Sequence, residues 1–197
     1  MKISFLNLLF ALFIIVSLFC SCKQKLSHDE ALNYYSSIIT EVNKAISETD
    51  SYIGNQVALQ SELKNLTVSS ALNNRPAPSN KSIPDPLKFQ HNLFLKNINE
   101  NIEALQKVIE KDNHIHLKLK SITYLTKTKE LHIMLFQNTL KSLSDPILTE
   151  NQNSSKKLIE ESIKNDWKKH SNIFIKSVQE YQRKYNISDD EAKKYDL

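Results

Sequence analysis

The chain has 197 residues, with 26 Lys or Arg against 22 Asp or Glu, a formal charge of +4 and 40% apolar residues. It contains one Gly and two Cys. One glycine excludes glycine-rich phosphate loops and disfavours sheets built on tight hairpins. Two cysteines exclude a multi-disulfide framework or a four-cysteine zinc site, and an evenly mixed charge without a basic block argues against nucleic acid as a partner.

The first 22 residues differ from the rest. Lys2 precedes a mostly apolar run over residues 3–19, broken by Ser4, Asn7 and Ser17, and polarity then rises sharply at Lys23. A positive start, an apolar middle and a small-residue exit describe a secretory signal. A retained membrane anchor is the rival, because a run of roughly 18 apolar residues is the lower edge for a spanning helix. The stretch "SLFCSCKQK" (17–25) places Ser21 directly before Cys22, with Leu18 and Phe19 upstream, so Cys22 resembles the lipidated cysteine of a bacterial lipobox. Phe19 departs from the commoner Leu, and it is too bulky a neighbour for Cys20 to be the modified residue. The expectation is a cleaved lipoprotein signal peptide over 1–21 and lipidation of Cys22 by fatty acyl chains such as palmitate. Residues 22–26 would be a short membrane tether. The mature chain then has 176 residues, 25 basic and 22 acidic, and no disulfide.

Residues 27–187 read as one helical domain. Ser27 and Glu30 fit a capping box. Ala31, Tyr35, Ile38, Val42, Ile46, Thr49 and Ile53 then fall at spacings of three and four, one face of a helix. Gly54 is a candidate kink, and the helix is expected to run to about residue 66. Tyr34 and Tyr35 are adjacent, which predicts that one of them points outward. Four of the five prolines lie in 67–86, which reads as a Pro/Ser/Asn-rich loop.

Asp85-Pro86 suits a helix start, and Phe94, Ile98, Ile102, Leu105 and Ile109 form the stripe of a second segment, about 86–111. A third, about 115–143, carries Leu119, Ile122, Leu125, Leu135, Phe136, Leu140 and Leu143, widened by Tyr124 and Leu131. A polar connector leads to a fourth, about 154–185, with Ile159, Ile163, Trp167, His170, Phe174, Val178, Tyr181 and Tyr185. With nearly no glycine, asparagine is the next residue able to take a left-handed helix cap. Asn73-Asn74, Asn113 and Asn186 stand where helices should end. The tail 188–197 offers a short helical turn capped by Ser188 and Glu191. Four amphipathic segments with two short connections predict an all-α, antiparallel four-helix bundle.

Motifs for chemistry are sparse. There is no Glu-x-x-His for a di-iron site, no haem-attachment motif, no H-E-x-x-H and no nucleophile elbow. Two Asp-x-x-x-His spacings, Asp112/His116 and Asp166/His170, would each place a carboxylate and an imidazole on one helical face. An ordinary polar pair explains each equally well, and Asp112 falls in a predicted turn. His170 lies in an apolar stripe beside Trp167 and reads as a partly buried histidine. The aromatic stripe Trp167, Phe174, Tyr181, Tyr185 reads as core. No catalytic residue, metal or cofactor is expected, and the chain is not expected to be an enzyme.

Two stretches, "EALNYYSSIITEVNKAI" in the first segment and "FIKSVQEYQRKYNI" in the last, resemble a family of small helical bacterial surface lipoproteins of undefined function, named from leptospires. That resemblance implies no catalytic residues. The reading is a lipid-anchored cell-envelope protein with a non-catalytic binding or scaffolding role, on the membrane through Cys22 and facing a possible envelope partner. Lys23 after the cysteine is compatible with outer-membrane sorting. The alternative is a periplasmic small-ligand or metal carrier with its site inside the bundle.

Overall fold

A computed structural model describes residues 26–72, 85–144 and 150–195. Side chains at 60, 63–72, 142–144 and 150–156 are not described. Cys20 and Cys22 therefore lie outside the described residues, as do Asn73, Asn74 and the prolines 76, 78 and 84. The described residues form helices and connections, without strand. Four long helices are α1 (His28–Leu72), α2 (Asp85–Lys107), α3 (Leu117–Ser144) and α4 (Glu150–Tyr185); a short α5 (Asp189–Ala192) follows. None of them is long and apolar enough to cross a membrane.

Each helix is held by the face its sequence makes apolar. On α1 the buried positions are 31, 34, 35, 38, 39, 42, 45, 49, 52 and 56, a single face that recurs at every turn of the helix. On α2 they are 87, 91, 94, 98, 101, 102 and 105. The α1–α2 and α3–α4 pairs pack most extensively, α2 meets α3, and α1 meets α4 more sparingly. Residue numbers rise on α1 as they fall on α2 and the residues just after it: Tyr34 meets Glu110 beyond the end of α2, Glu48 meets Asn101 and Tyr52 meets His91. They do the same between α3 and α4, where Tyr124 stacks on Phe174, Thr128 accepts from Trp167 and Asn138 donates to Glu160.

Several expectations shift. The helix α1 continues to Leu72 instead of ending near 66, so residues 67–72 are helical and the expected 67–86 loop is shorter at its start. No proline stands in the way before Pro76. Gly54 sits inside continuous helix with open space around it. Tyr34 and Tyr35 are both buried, because α1 is packed on two sides there, by α2 and by α4. Ile53, Ile109, Leu119 and Ile159, each placed in a stripe by spacing, are exposed. Tyr52 occupies the buried position beside Ile53, and Ile109 falls beyond the end of α2. The fourth helix begins at Glu150, inside the expected polar connector.

The helix ends follow the local chemistry well. Glu30 Oε2 accepts from the Ser27 N–H (3.0 Å) and hydroxyl (2.8 Å), and Ser27 Oγ accepts from the Glu30 N–H, closing the first capping box. Asn186 takes φ 54°, as expected for an asparagine cap. The Ile187 N–H reaches Gln182 O at 2.9 Å and Asn186 N–H reaches Arg183 O at 3.5 Å, the paired bonds of a Schellman motif with Ile187 buried against the helix. Asn113 has no such role; His116 (φ 54°) turns the chain into α3 instead. Ser188 and Glu191 form the second capping box. The described part of the tail is core, not appendage. Ala192 is buried, Tyr195 packs on the core, and its carbonyl accepts from Asn43 at 2.8 Å.

Candidate functional site

The structure keeps the two Asp/His pairs apart: Asp166 and His170 meet each other, whereas the Asp112 carboxylate is bound by other groups than the His116 ring. Asp112 is buried in the α2–α3 connection and His116 is exposed. Asp112 Oδ1 accepts from the His114 and Ile115 N–H groups (2.8 and 3.3 Å), and both oxygens accept from Lys184 Nζ on α4 at 3.0 Å. Burial pushes the Asp112 carboxyl up, but the His114 N–H, the Lys184 ammonium and the Ile115 N–H outweigh it and hold it below the usual carboxylate range. Asp166 lies eighteen residues before Lys184 on α4, roughly 27 Å along the axis. There it pairs with Lys127 (3.1 Å) and His170 (3.5 Å) at the surface. Trp167 is half-buried and donates to Thr128 Oγ1 at 3.0 Å. Phe174, Tyr181 and Tyr185 are core.

Around Asp112 the start of α1, the end of α4 and α5 are drawn together. Tyr181 lies among Tyr34, Tyr35 and Tyr185, with ring centroids 5.7, 6.2 and 4.6 Å away, and its hydroxyl donates to Ala31 O. Tyr34 donates to Glu110, and burial, then the Glu110 carboxylate, pushes its pKa upward. His28 has an acceptor on each nitrogen: Tyr185 O at 2.9 Å and Glu191 Oε1 at 2.9 Å. Both are satisfied only when the ring is doubly protonated, so the Glu191 carboxylate and then the Tyr185 carbonyl raise its pKa. The N–H of Ser188, His28 and the Ser188 hydroxyl hold Glu191 at about 2.

The other buried polar cluster lies midway along the helices and was not signalled by any motif. His91 of α2 stacks on Phe136 of α3 with centroids 3.8 Å apart, and its Nδ1 is 3.0 Å from the Tyr52 hydroxyl of α1. Tyr52 stacks on Phe94 at 4.5 Å. His132 of α3 meets both rings edge-on, at 5.7 and 5.2 Å. Burial lowers the His91 pKa, pushes His132 down to about 4, with His91 adding to the effect, and lifts Tyr52 to about 12. Both imidazoles are therefore neutral near pH 7. With Tyr52 as donor, His91 Nδ1 is the unprotonated nitrogen.

A groove of about 150 Å³ opens between α1 and α2 over the outer edge of this layer. Tyr52 and Phe94 line it as nearly buried rings. Its polar lining comes from Ser47, Ser51 and Asn55 on α1 and from Gln90 and Asn97 on α2. Asn55 donates to Gln90 across it at 3.4 Å. Glu48 is the one charged residue in the lining, and its Oε2 accepts from Asn101 Nδ2 at 2.7 Å. Among the described residues, no three His, Cys, Asp or Glu side chains are grouped to hold a metal ion.

The signal for this layer was positional. His91 stands three residues before Phe94 in the α2 stripe, and His132 one after Leu131 on α3, where a stripe reading confined to apolar residue types passes over them. Compared with known proteins, the chain matches no family model, no curated protein and no solved structure.

Proposed function

We propose that this chain is a lipid-anchored cell-envelope protein: an antiparallel four-helix bundle that follows a cleaved signal peptide, tethered through Cys22, with a non-catalytic binding or scaffolding role. The observation that carries the reading is the run from Lys2 to Lys25, where an apolar stretch ends on Ser21-Cys22 and polarity begins at once. Each buried methylene of an attached acyl chain contributes roughly 0.8 kcal/mol to membrane binding, and two or more chains make attachment stable where one is reversible.

Two further features support it. Only four residues separate Cys22 from the first capping box at Ser27, and the helix that begins there is fixed at once to α4 and α5. A tether of that length spans at most ~18 Å when extended, so the end holding Asp112 and the tyrosines would face the membrane and the opposite end the environment. Buried titratable groups at this end also have structural partners: Asp112 holds a turn and Lys184, and Tyr34 holds Glu110. Outer-membrane placement and kinship with the leptospiral lipoproteins belong to the same proposal.

Metabolic labelling with a clickable fatty acid tests the anchor. The wild-type chain is expected to take up label and Cys22→Ala to lose it. Equal labelling of the two overturns the reading. The second reading, a small-ligand carrier, draws on one observation, the polar groove between α1 and α2.

A further inference from the structure

The α1–α2 groove has a definite chemical character. At one end, Glu48 brings a carboxylate to the lining. Glu48 uses one oxygen to take the Asn101 N–H, while a carboxylate can accept about four hydrogen bonds. Asn101 donates its second N–H to Asn97 O at 2.9 Å. Its own Oδ1 is then left as the buried side-chain acceptor without a partner among the described residues, in a side chain 1% exposed. Turning the amide over does not help, because both neighbours of Nδ2 are acceptors and need a donor. Behind the lining, Asn101 and Glu48 thus hold more acceptors than the Asn101 N–H groups satisfy, and Glu48 is the member of the pair that reaches the groove.

We infer that this groove binds a small ligand carrying a primary ammonium group, which sits against Glu48, together with neutral hydroxyl or amide groups that meet Ser51, Asn55 and Gln90. An ammonium supplies three donors and a positive charge to the Glu48 carboxylate, and a charge-assisted bond is roughly twice as strong as a neutral one. An anion is repelled, since the lining has a carboxylate and no basic side chain. A wholly apolar ligand would strip water from serines and amides without replacing their hydrogen bonds. The volume lies below the 300–1,000 Å³ typical of drug-sized pockets, which suits a molecule of the size of an amino sugar. A site here goes beyond lipid anchoring and does not depend on it.

The test uses the purified full chain in mild detergent and saturation-transfer NMR, with D-glucosamine as probe and N-acetylglucosamine, which lacks the ammonium, as its neutral match. Glucosamine is expected to bind saturably below about 10 mM, and the neutral match roughly tenfold or more weakly, the loss of one charge-assisted bond. Glu48→Gln keeps an acceptor for Asn101 and is expected to weaken glucosamine by a similar factor. Ser51→Leu, at an exposed position, fills the groove and is expected to abolish binding. Circular dichroism melts establish that both variants are folded. No saturable binding, equal binding of the two sugars, or a folded Glu48→Gln or Ser51→Leu chain that binds as the wild type does would each overturn the inference. Cys22→Ala leaves the groove intact, so failure here and failure of lipid labelling are separate results.

Discussion

Two histidines mark the contrast between the ends-joining cluster and the mid-bundle layer. His28, at the start of α1, has an acceptor on each nitrogen and is stabilised as a cation. His132, on α3, is surrounded by the edges and faces of Tyr52 and Phe94 and is stabilised as a neutral ring. The cluster around Asp112 and Glu191 relies on charges that have partners, whereas the layer relies on rings that must stay uncharged. Burial alone does not set how a helical core responds to pH; the number of acceptors offered to each imidazole does.

The largest expected effect breaks the charged side of this contrast. Asp112→Ala removes the Lys184 partner and the acceptor for two turn N–H groups, and should lower unfolding free energy by about 3 kcal/mol in denaturant titrations. Lys184→Met should cost less, because Asp112 keeps the two N–H groups, and because Lys184 is itself 30% exposed.

The neutral side should break with acid. His132 has a folded pKa of about 4 against an ordinary 6.5, so the unfolded chain takes up the proton first. Stability is full above about pH 6.5 and falls as pH drops towards 4, by up to about 3 kcal/mol. His132→Phe should flatten that part of a pH-resolved thermal melting series; an unchanged slope would assign the acid sensitivity elsewhere.

Smaller changes sharpen the comparison at the joined ends. Ser188→Ala removes one capping interaction and should cost about 1 kcal/mol by thermal melting. His28 has the opposite sign from His132. Its folded pKa is raised, so its contribution is present below pH 6.5 and is lost as pH rises through the folded value. His28→Gln should remove a shallow decline on the alkaline side. That is the smallest effect of the set, since the site is at the surface.

The helices and their stops were written locally and could be read locally. Both capping boxes, the asparagine at 186 and the stripe from Ala31 to Thr49 depend on neighbours three or four residues away. The polar cores were not legible for the same reason. Asp112 looked like a partner for His116, four residues on, but its partner Lys184 is 72 residues distant, and no local pattern encodes that pairing. Ile109 and Leu119 fit a period yet are exposed, because spacing describes a face without saying whether another helix covers it. The groove needs two helices in register and has no signature on either alone.

Tyr35 and Tyr181 carry a consequence for the order of assembly. The α1–α2 and α3–α4 pairs each form between adjacent segments of chain, but the bond from Tyr181 to Ala31 spans 150 residues. Loop-closure entropy delays such contacts until intervening structure has brought the partners close. The start of α1 therefore stays uncovered until the last turns of α4 have been made. A product cut short before Tyr181 leaves Tyr34 and Tyr35 without their cover. Until those turns are in place, the start of α1 shows apolar surface that the assembled bundle hides.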